Sequence, residues 1–152
     1  MVPQPPDDAD REQLLAWVES VATFCSEAWG LAPITGRILG WLLICEPPEQ
    51  SVGEIADAIG ASRASMTSNM RLLTSVGLVR RQTRLGERTA YYRIEDDAFE
   101  KVVRRRLAAF AAFGEIAEEG LKLGGDDETR TRRIRSAQLS IVLLTEPPGQ
   151  RR

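Results

Sequence analysis

The sequence predicts a mainly α fold with a small β-hairpin wing, a winged helix-turn-helix with additional helices at its N- and C-terminal ends. Three observations lead there. Residues 52–93 read in order as a short helix, a tight turn, a second helix and two strands joined at Gly86-Glu87, the succession in which a helix-turn-helix is followed by a hairpin. On both sides of that stretch, apolar residues recur at steps of three and four over long spans, the period of amphipathic helices. Basic charge is concentrated as well: Gly60 to Arg93 holds seven arginines and one acid, a local +6 in a chain of formal charge −2, so the remainder carries −8.

Taken in order, residues 1–9 (MVPQPPDDA) are rich in Pro and Asp and are expected to form a loose tail. Asp8 or Asp10 can cap the helix that follows. From Arg11 to Trp29 its stripe is Leu14, Trp17, Val18, Val21, Ala22, Phe24, Cys25 and Ala28, broad enough to pack on more than one side. Pro33 suits the first turn of a second helix running to about Cys45, with Ile34, Ile38, Trp41, Leu42 and Cys45 packed. Gly36 and Gly40 stand four apart in it. Glycine costs roughly 0.5–1 kcal/mol against alanine in a helix interior, a cost that close contact with another helix offsets. Arg37 between them can face acids or phosphate, with a partner-forming surface the more expected role, and Glu46-Pro47-Pro48 stops the helix.

Ser51 and Glu54 form an S-x-x-E capping box for a helix with Val52, Ile55, Ala56 and Ile59 on its apolar side, closed by a left-handed Gly60. Ser62 is the expected N-cap of the next helix, whose buried side is Met66, Met70 and Leu73. Its other side carries Arg63, Ser65, Thr67, Ser68, Asn69 and Arg71, with no acid among them. After Val76-Gly77 a strand begins at Leu78-Val79 and continues through the basic Arg80–Arg84 segment. Gly86 turns the chain, and Arg88–Ile94 returns as a second strand rich in Thr and Tyr.

Asp96 or Asp97 can cap a long helix from Ala98 to about Lys122, with Phe99, Val103, Leu107, Phe110, Phe113, Ala117 and Leu121 recurring at three and four. Gly124-Gly125-Asp126 provides the break and the next cap. The last helix, about Glu128 to Thr145, sets Ile134, Ala137, Ile141 and Leu144 on one side, and Pro147-Pro148 ends it. The organisation expected is therefore a tail at 1–9, N-terminal helices at 10–46 shared between core and dimerisation, a winged core at 47–95, C-terminal dimerisation helices at 96–146 and a tail at 147–152. A winged domain needs few of these long amphipathic helices, so a second copy of the chain is their expected partner.

A helix surface of small and donor-bearing side chains beside a basic hairpin suits duplex DNA: the helix can enter the major groove and the hairpin can reach the neighbouring backbone or minor groove. Phosphate contacts are expected from Arg63, Arg71, Arg80, Arg81 and Arg84, base-edge hydrogen bonds from Ser65, Thr67, Ser68 or Asn69, and a minor-groove contact from Arg88. The competing assignment is a winged helix that binds a protein partner through its acidic outer helices without touching DNA. An enzyme is the weakest of the three. The chain has no histidine, only Cys25 and Cys45 far apart, no metal-ligand spacing and no phosphate loop. At 152 residues, 43% hydrophobic and 28% charged, it is expected to form one core, and no apolar run approaches the length of a membrane span. The two cysteines are expected as buried structural thiols in a cytoplasmic protein.

The stretch from about Glu27 to Tyr92, with its glycine-bearing helix, Pro-Pro turn and Gly-x-Arg wing, resembles MarR-type winged-helix transcriptional regulators, most closely their GbsR-like branch. The resemblance implies a homodimer whose N- and C-terminal helices form the interface. Two recognition helices would then read a palindromic operator, usually to repress transcription. It places Ser62, Arg63, Ser65, Thr67, Ser68 and Arg71 on the recognition helix and Arg84, Gly86, Glu87, Arg88 and Tyr91 in the wing. Glu87 stands where the family commonly has aspartate and can orient Arg88. Ser68 stands where relatives often carry a larger side chain, so the operator is not inherited from them. The resemblance also implies a small-molecule effector between the dimer helices and the winged domain, with Trp17, Phe24, Trp29 and Trp41 as candidate lining; no cofactor is implied.

Overall fold

Two glycines set how the N-terminal helices meet. In the computed structural model, which describes residues 8–145, α1 (Asp8–Trp29) packs against α2 (Pro33–Ile44). A β-carbon on Gly36 would fall 2.7 Å from the Ala22 α-carbon, and one on Gly40 would fall 3.2 Å from the Val18 carbonyl oxygen. The close contact expected of these glycines is therefore real: α1 backbone occupies the space their side chains would need. Val18, Ala22 and Cys25 of α1 and Ile38, Leu39 and Leu42 of α2 are buried in the core. Arg37 faces an acid, the first of the two roles open to it. It makes a bidentate pair with Glu19 of α1, the second bond being 3.1 Å, and adds a polar clasp to the helix pair.

The chain then forms β1 (Gln50–Ser51), α3 (Val52–Ile59), α4 (Arg63–Ser75), β2 (Val79–Thr83) and β3 (Ala90–Ile94). The capping box is present in both directions, Glu54 N–H donating to Ser51 Oγ at 3.2 Å and Ser51 N–H to Glu54 Oε2 at 2.7 Å. Gly60 closes α3 at φ 68°, and Ser62 Oγ caps α4 by accepting from the Ser65 N–H at 3.3 Å. Met66, Met70 and Leu73 are buried as their spacing requires.

The sheet has three strands in the order β1-β3-β2, all antiparallel. The hairpin was expected; β1 was not. It has two residues, Gln50 opposite Tyr92 and Ser51 opposite Tyr91, and such a strand exists only because β3 offers it a ladder. β3 also begins at Ala90 rather than Arg88, leaving Arg84 to Thr89 as the wing tip.

These elements belong to a unit spanning Met1–Ala98, and a second unit spans Phe99–Arg152. In the second, α5 (Ala98–Gly124) meets α6 (Glu128–Thr145) where Gly120 lies against Ile134 and Gly124 against Thr131. The cap of α6 is Asp127, whose Oδ1 accepts from the Arg130 N–H at 3.0 Å, one residue beyond the Asp126 expected. At the other end of the chain Asp8 and Ala9 belong to α1 rather than to a tail, since Asp8 and Asp10 complement the positive end of the helix dipole. The expectations for residues 1–7 and 146–152 lie outside the described residues.

Candidate nucleic-acid interface

The outward side of α4 carries Arg63, Thr67, Ser68 and Arg71 in exposed positions, with Ser65 half-buried at the first turn. Its hydroxyls rest on the helix itself: Ser65 Oγ donates to the Ser62 carbonyl at 2.8 Å, Thr67 Oγ1 to Arg63 at 3.2 Å and Ser68 Oγ to Ser65 at 3.4 Å. A hydroxyl held this way keeps its lone pairs free to accept from a base amino group. By rotating, it exchanges the backbone bond for a donor contact at little cost.

Asn69 departs from the expected role. It is half-buried, accepts from Thr35 Oγ1 at 2.6 Å and donates from Nδ2 to the Ser65 carbonyl at 2.7 Å, so its amide is turned toward α2 rather than toward a base edge.

The wing's arginines divide into two groups. Arg80 is held by both oxygens of Glu95 at 3.0 and 2.9 Å, Arg93 lies 3.4 Å from Asp96, and Arg84 lies 3.5 Å from Glu49 while its guanidinium sits 3.8 Å over the Tyr91 ring. Those three acids all lie outside the Gly60–Arg93 segment, so folding neutralises part of the charge counted along the sequence. Arg63, Arg71, Arg81 and Arg88 have no acid partner among the described residues. The Tyr91 phenol is held above its usual range, chiefly by hydrogen bonding toward Glu87 and secondarily by desolvation.

A groove of about 460 Å³ runs between α4 and the sheet, lined by Thr67, Met70, Arg71, Thr74, Arg81 and Tyr92 among others. It puts two unpaired arginines on one concave surface between the helix and the wing, a natural course for a phosphate strand. Arg63 leans the other way, its guanidinium beside Gly53 in the first turn of α3, where the positive helix end also favours an anion.

No family model matches the chain. It is 36% identical over 123 residues to the HTH-type transcriptional regulator MmpR5 of Mycobacterium tuberculosis, an alignment covering 80% of this chain and 74% of that one. The chain belongs to the MarR-type winged helix-turn-helix transcriptional regulators. A crystal structure of a transcriptional regulator, 33% identical, superposes with a TM-score of 0.64 over 88% of this chain and 90% of that one. As in other MarR-type regulators, the business of this protein is DNA-binding and the regulation of transcription. No group of His, Cys, Asp or Glu among the described residues is arranged to hold a metal ion.

Of the regulator's four candidate effector-site aromatics, Trp17, Phe24 and Trp29 lie on α1 and Trp41 on α2. Phe24 and Trp29 meet edge to face with ring centroids 5.3 Å apart, and Trp17 and Phe24 are 44% and 51% exposed. Trp41 is half-buried and donates from Nε1 to Gln50 Oε1 at 2.7 Å, which makes it part of the framework. Both cysteines of the regulator are free and buried. Desolvation pushes both thiols up, Cys45 to about 11, and the Cys45 thiol donates to the Pro48 carbonyl at 3.8 Å. No helix among the described residues is long and apolar enough to cross a membrane.

Proposed function

We propose that this regulator is a homodimeric, cytoplasmic repressor that binds a palindromic operator and lies nearest the GbsR-like branch. The observation that carries the proposal is the continuity of the acid-free face of α4, through the groove, with the unpaired Arg81 of a hairpin whose tip carries the unpaired Arg88. Thr67, Ser68 and Ser65 face the base edges, Arg63, Arg71 and Arg81 bind phosphates, and Arg88 at the wing tip enters the minor groove. Arg80 and Arg84 contribute to the field of the wing from within their ion pairs. The glycine-paired α2, the Pro47-Pro48 turn and the Gly86-x-Arg88 tip support the branch.

The second unit supports the dimer. Beyond Ala98 at the start of α5, its two long helices bury only Ala117, Gly124 and Thr131 among the described residues, while Val103, Leu107, Phe110, Ile116, Leu139 and Leu143 stay exposed. Helices that bury so little on their own take their stability from another chain. The exposed Trp17 and the Phe24–Trp29 pair support an effector site for an uncharged or cationic ligand, since aromatic faces attract cations.

The test is selection of duplexes from a randomised pool by the full chain, followed by the mass of the complex. The proposal predicts a palindrome whose half-sites are about 10 base pairs apart, bound by two chains. Recovery of no duplex by a dimer that remains folded would assign the fold to protein interaction instead.

A further inference from the structure

α2 makes a part-buried polar link to α4 and another to β1, the strand paired with the wing strand β3. Near its start, Thr35, only 2% exposed, donates to Asn69 Oδ1 of α4 at 2.6 Å, and Asn69 passes the link on to the Ser65 carbonyl at 2.7 Å. The two bonds fix the sense of the amide, because turning Asn69 over would set its oxygen against that carbonyl. Ser68 Oγ donates to the same Ser65 oxygen at 3.4 Å, so the link ends one bond away from a base-facing hydroxyl. Toward the other end of α2, Trp41 Nε1 donates to Gln50 Oε1 at 2.7 Å. Gln50 is 6% exposed and lies opposite Tyr92 in the ladder that joins β1 to the wing strand β3.

Most of the remaining core around α2 is apolar, with Ile38, Leu39 and Leu42 buried beside Ile55, Met66, Met70 and Leu73. Apolar contacts are non-directional and tolerate a small rotation or slide, whereas a buried hydrogen bond has a narrow range of distance and angle and leaves unsatisfied groups when it breaks. Thr35 and Trp41 are separated by about 9 Å along the helix axis. α2 in turn cannot settle freely on α1, because Gly36, next to Thr35, already touches Ala22 and Arg37 is clasped by Glu19.

We infer that Thr35 and Trp41 are positioning residues that set the rotation of α4 and its spacing from the wing, so that the packing of α1 on α2 is transmitted to both DNA-facing elements. The inference rests on the DNA-binding function proposed above. Thr35 acts on the hydroxyl face of α4 through Asn69, and Trp41 acts on the hairpin through Gln50 and β1. Neither residue touches the nucleic acid.

The probes are a duplex recovered by the wild-type chain from a randomised pool and a duplex of the same composition in scrambled order. Thr35→Val, which keeps the shape and removes the donor, should lower the ratio of the two affinities about tenfold. Its affinity for the scrambled duplex should stay within about twofold, because phosphate contacts are unchanged. Thr35→Ser, which keeps the hydroxyl, should restore the ratio. Should Thr35→Val fail to fold, Asn69→Ala removes the same link from the α4 side and should give the same loss. In the Trp41→Phe background, Arg88→Ala should cost less than in the wild type, since the wing tip is then already misplaced. An unchanged ratio in Thr35→Val or Asn69→Ala, or no recovery with Thr35→Ser, overturns the inference while the DNA-binding function stands. A wild-type chain that recovers no duplex overturns both.

Discussion

Arg80 and Arg81 are neighbours on β2 with opposite fates: Arg80 is held by both oxygens of Glu95, while Arg81 lines the groove beside Arg71 with no acid partner among the described residues. Strand alternation separates them, since successive side chains leave a strand on opposite faces. Glu95→Gln would release Arg80 to bind phosphate. Affinity for any duplex should rise and the salt dependence of binding should steepen by about two counterions, one from each chain of the dimer. Stability should change little, because an exposed pair contributes about 0–1 kcal/mol. Binding titrations at several salt concentrations, alongside thermal unfolding, check both parts.

The wing tip makes the opposite prediction. Arg88→Ala should weaken binding to all duplexes and flatten the salt slope by about two, one from each chain of the dimer. Ser68→Ala should instead change which base is preferred at one position in each half-site and leave the slope alone, because a hydroxyl on a base edge releases no counterion. Competition among duplexes that differ at single positions separates the two behaviours.

The contact between Gly36 and Ala22 leaves no room for a methyl group. Gly36→Ala should destabilise the fold by about 1–3 kcal/mol by forcing α1 away from α2, although alanine is the better helix former. Gly30→Ala places its new β-carbon in open space at φ 67° and should cost only the strain of the left-handed backbone. Chemical denaturation of the two variants distinguishes crowding from backbone strain.

Burial of Cys45 sets a pH dependence. Its thiol rises from the usual 9.0 to about 11, chiefly through desolvation. Below pH 9 both the folded and unfolded chains keep the proton, and the contribution to stability is fully present. Between pH 9 and about 11 the unfolded chain loses the proton first, so stability falls as pH rises. Cys25 and Tyr91, also shifted upward, act in the same direction. Cys45→Ala should make the decline shallower, and the native thiol should resist alkylation at pH 8 until the chain unfolds.

What the sequence made legible was whatever local chemistry decides. Ser51, Glu54, Gly60 and Ser62 place both helices of the helix-turn-helix nearly to the residue, and the Gly36–Gly40 spacing announces a close helix contact. What it hid depends on residues brought together from afar. β1 has only two residues and borrows its ladder from β3, and Glu49 and Glu95 reach two wing arginines across long stretches of chain. Asn69 lay within reach of a closer reading: it stands three residues after Met66 and four before Leu73, on the edge of the buried stripe, where an amide meets the core as readily as DNA.

The central claim is that the unpaired arginines around α4 and the hairpin hold a DNA backbone. The measurement that tests it most directly is the affinity of the purified full chain for duplex DNA across about 50–200 mM salt. With Arg63, Arg71, Arg81 and Arg88 contributed by each of two chains, the logarithm of the affinity should fall linearly and steeply with the logarithm of salt. Changing all four to alanine should abolish most of that slope in a chain that still unfolds cooperatively. Binding that ignores salt, or a slope that survives the fourfold substitution, would contradict it.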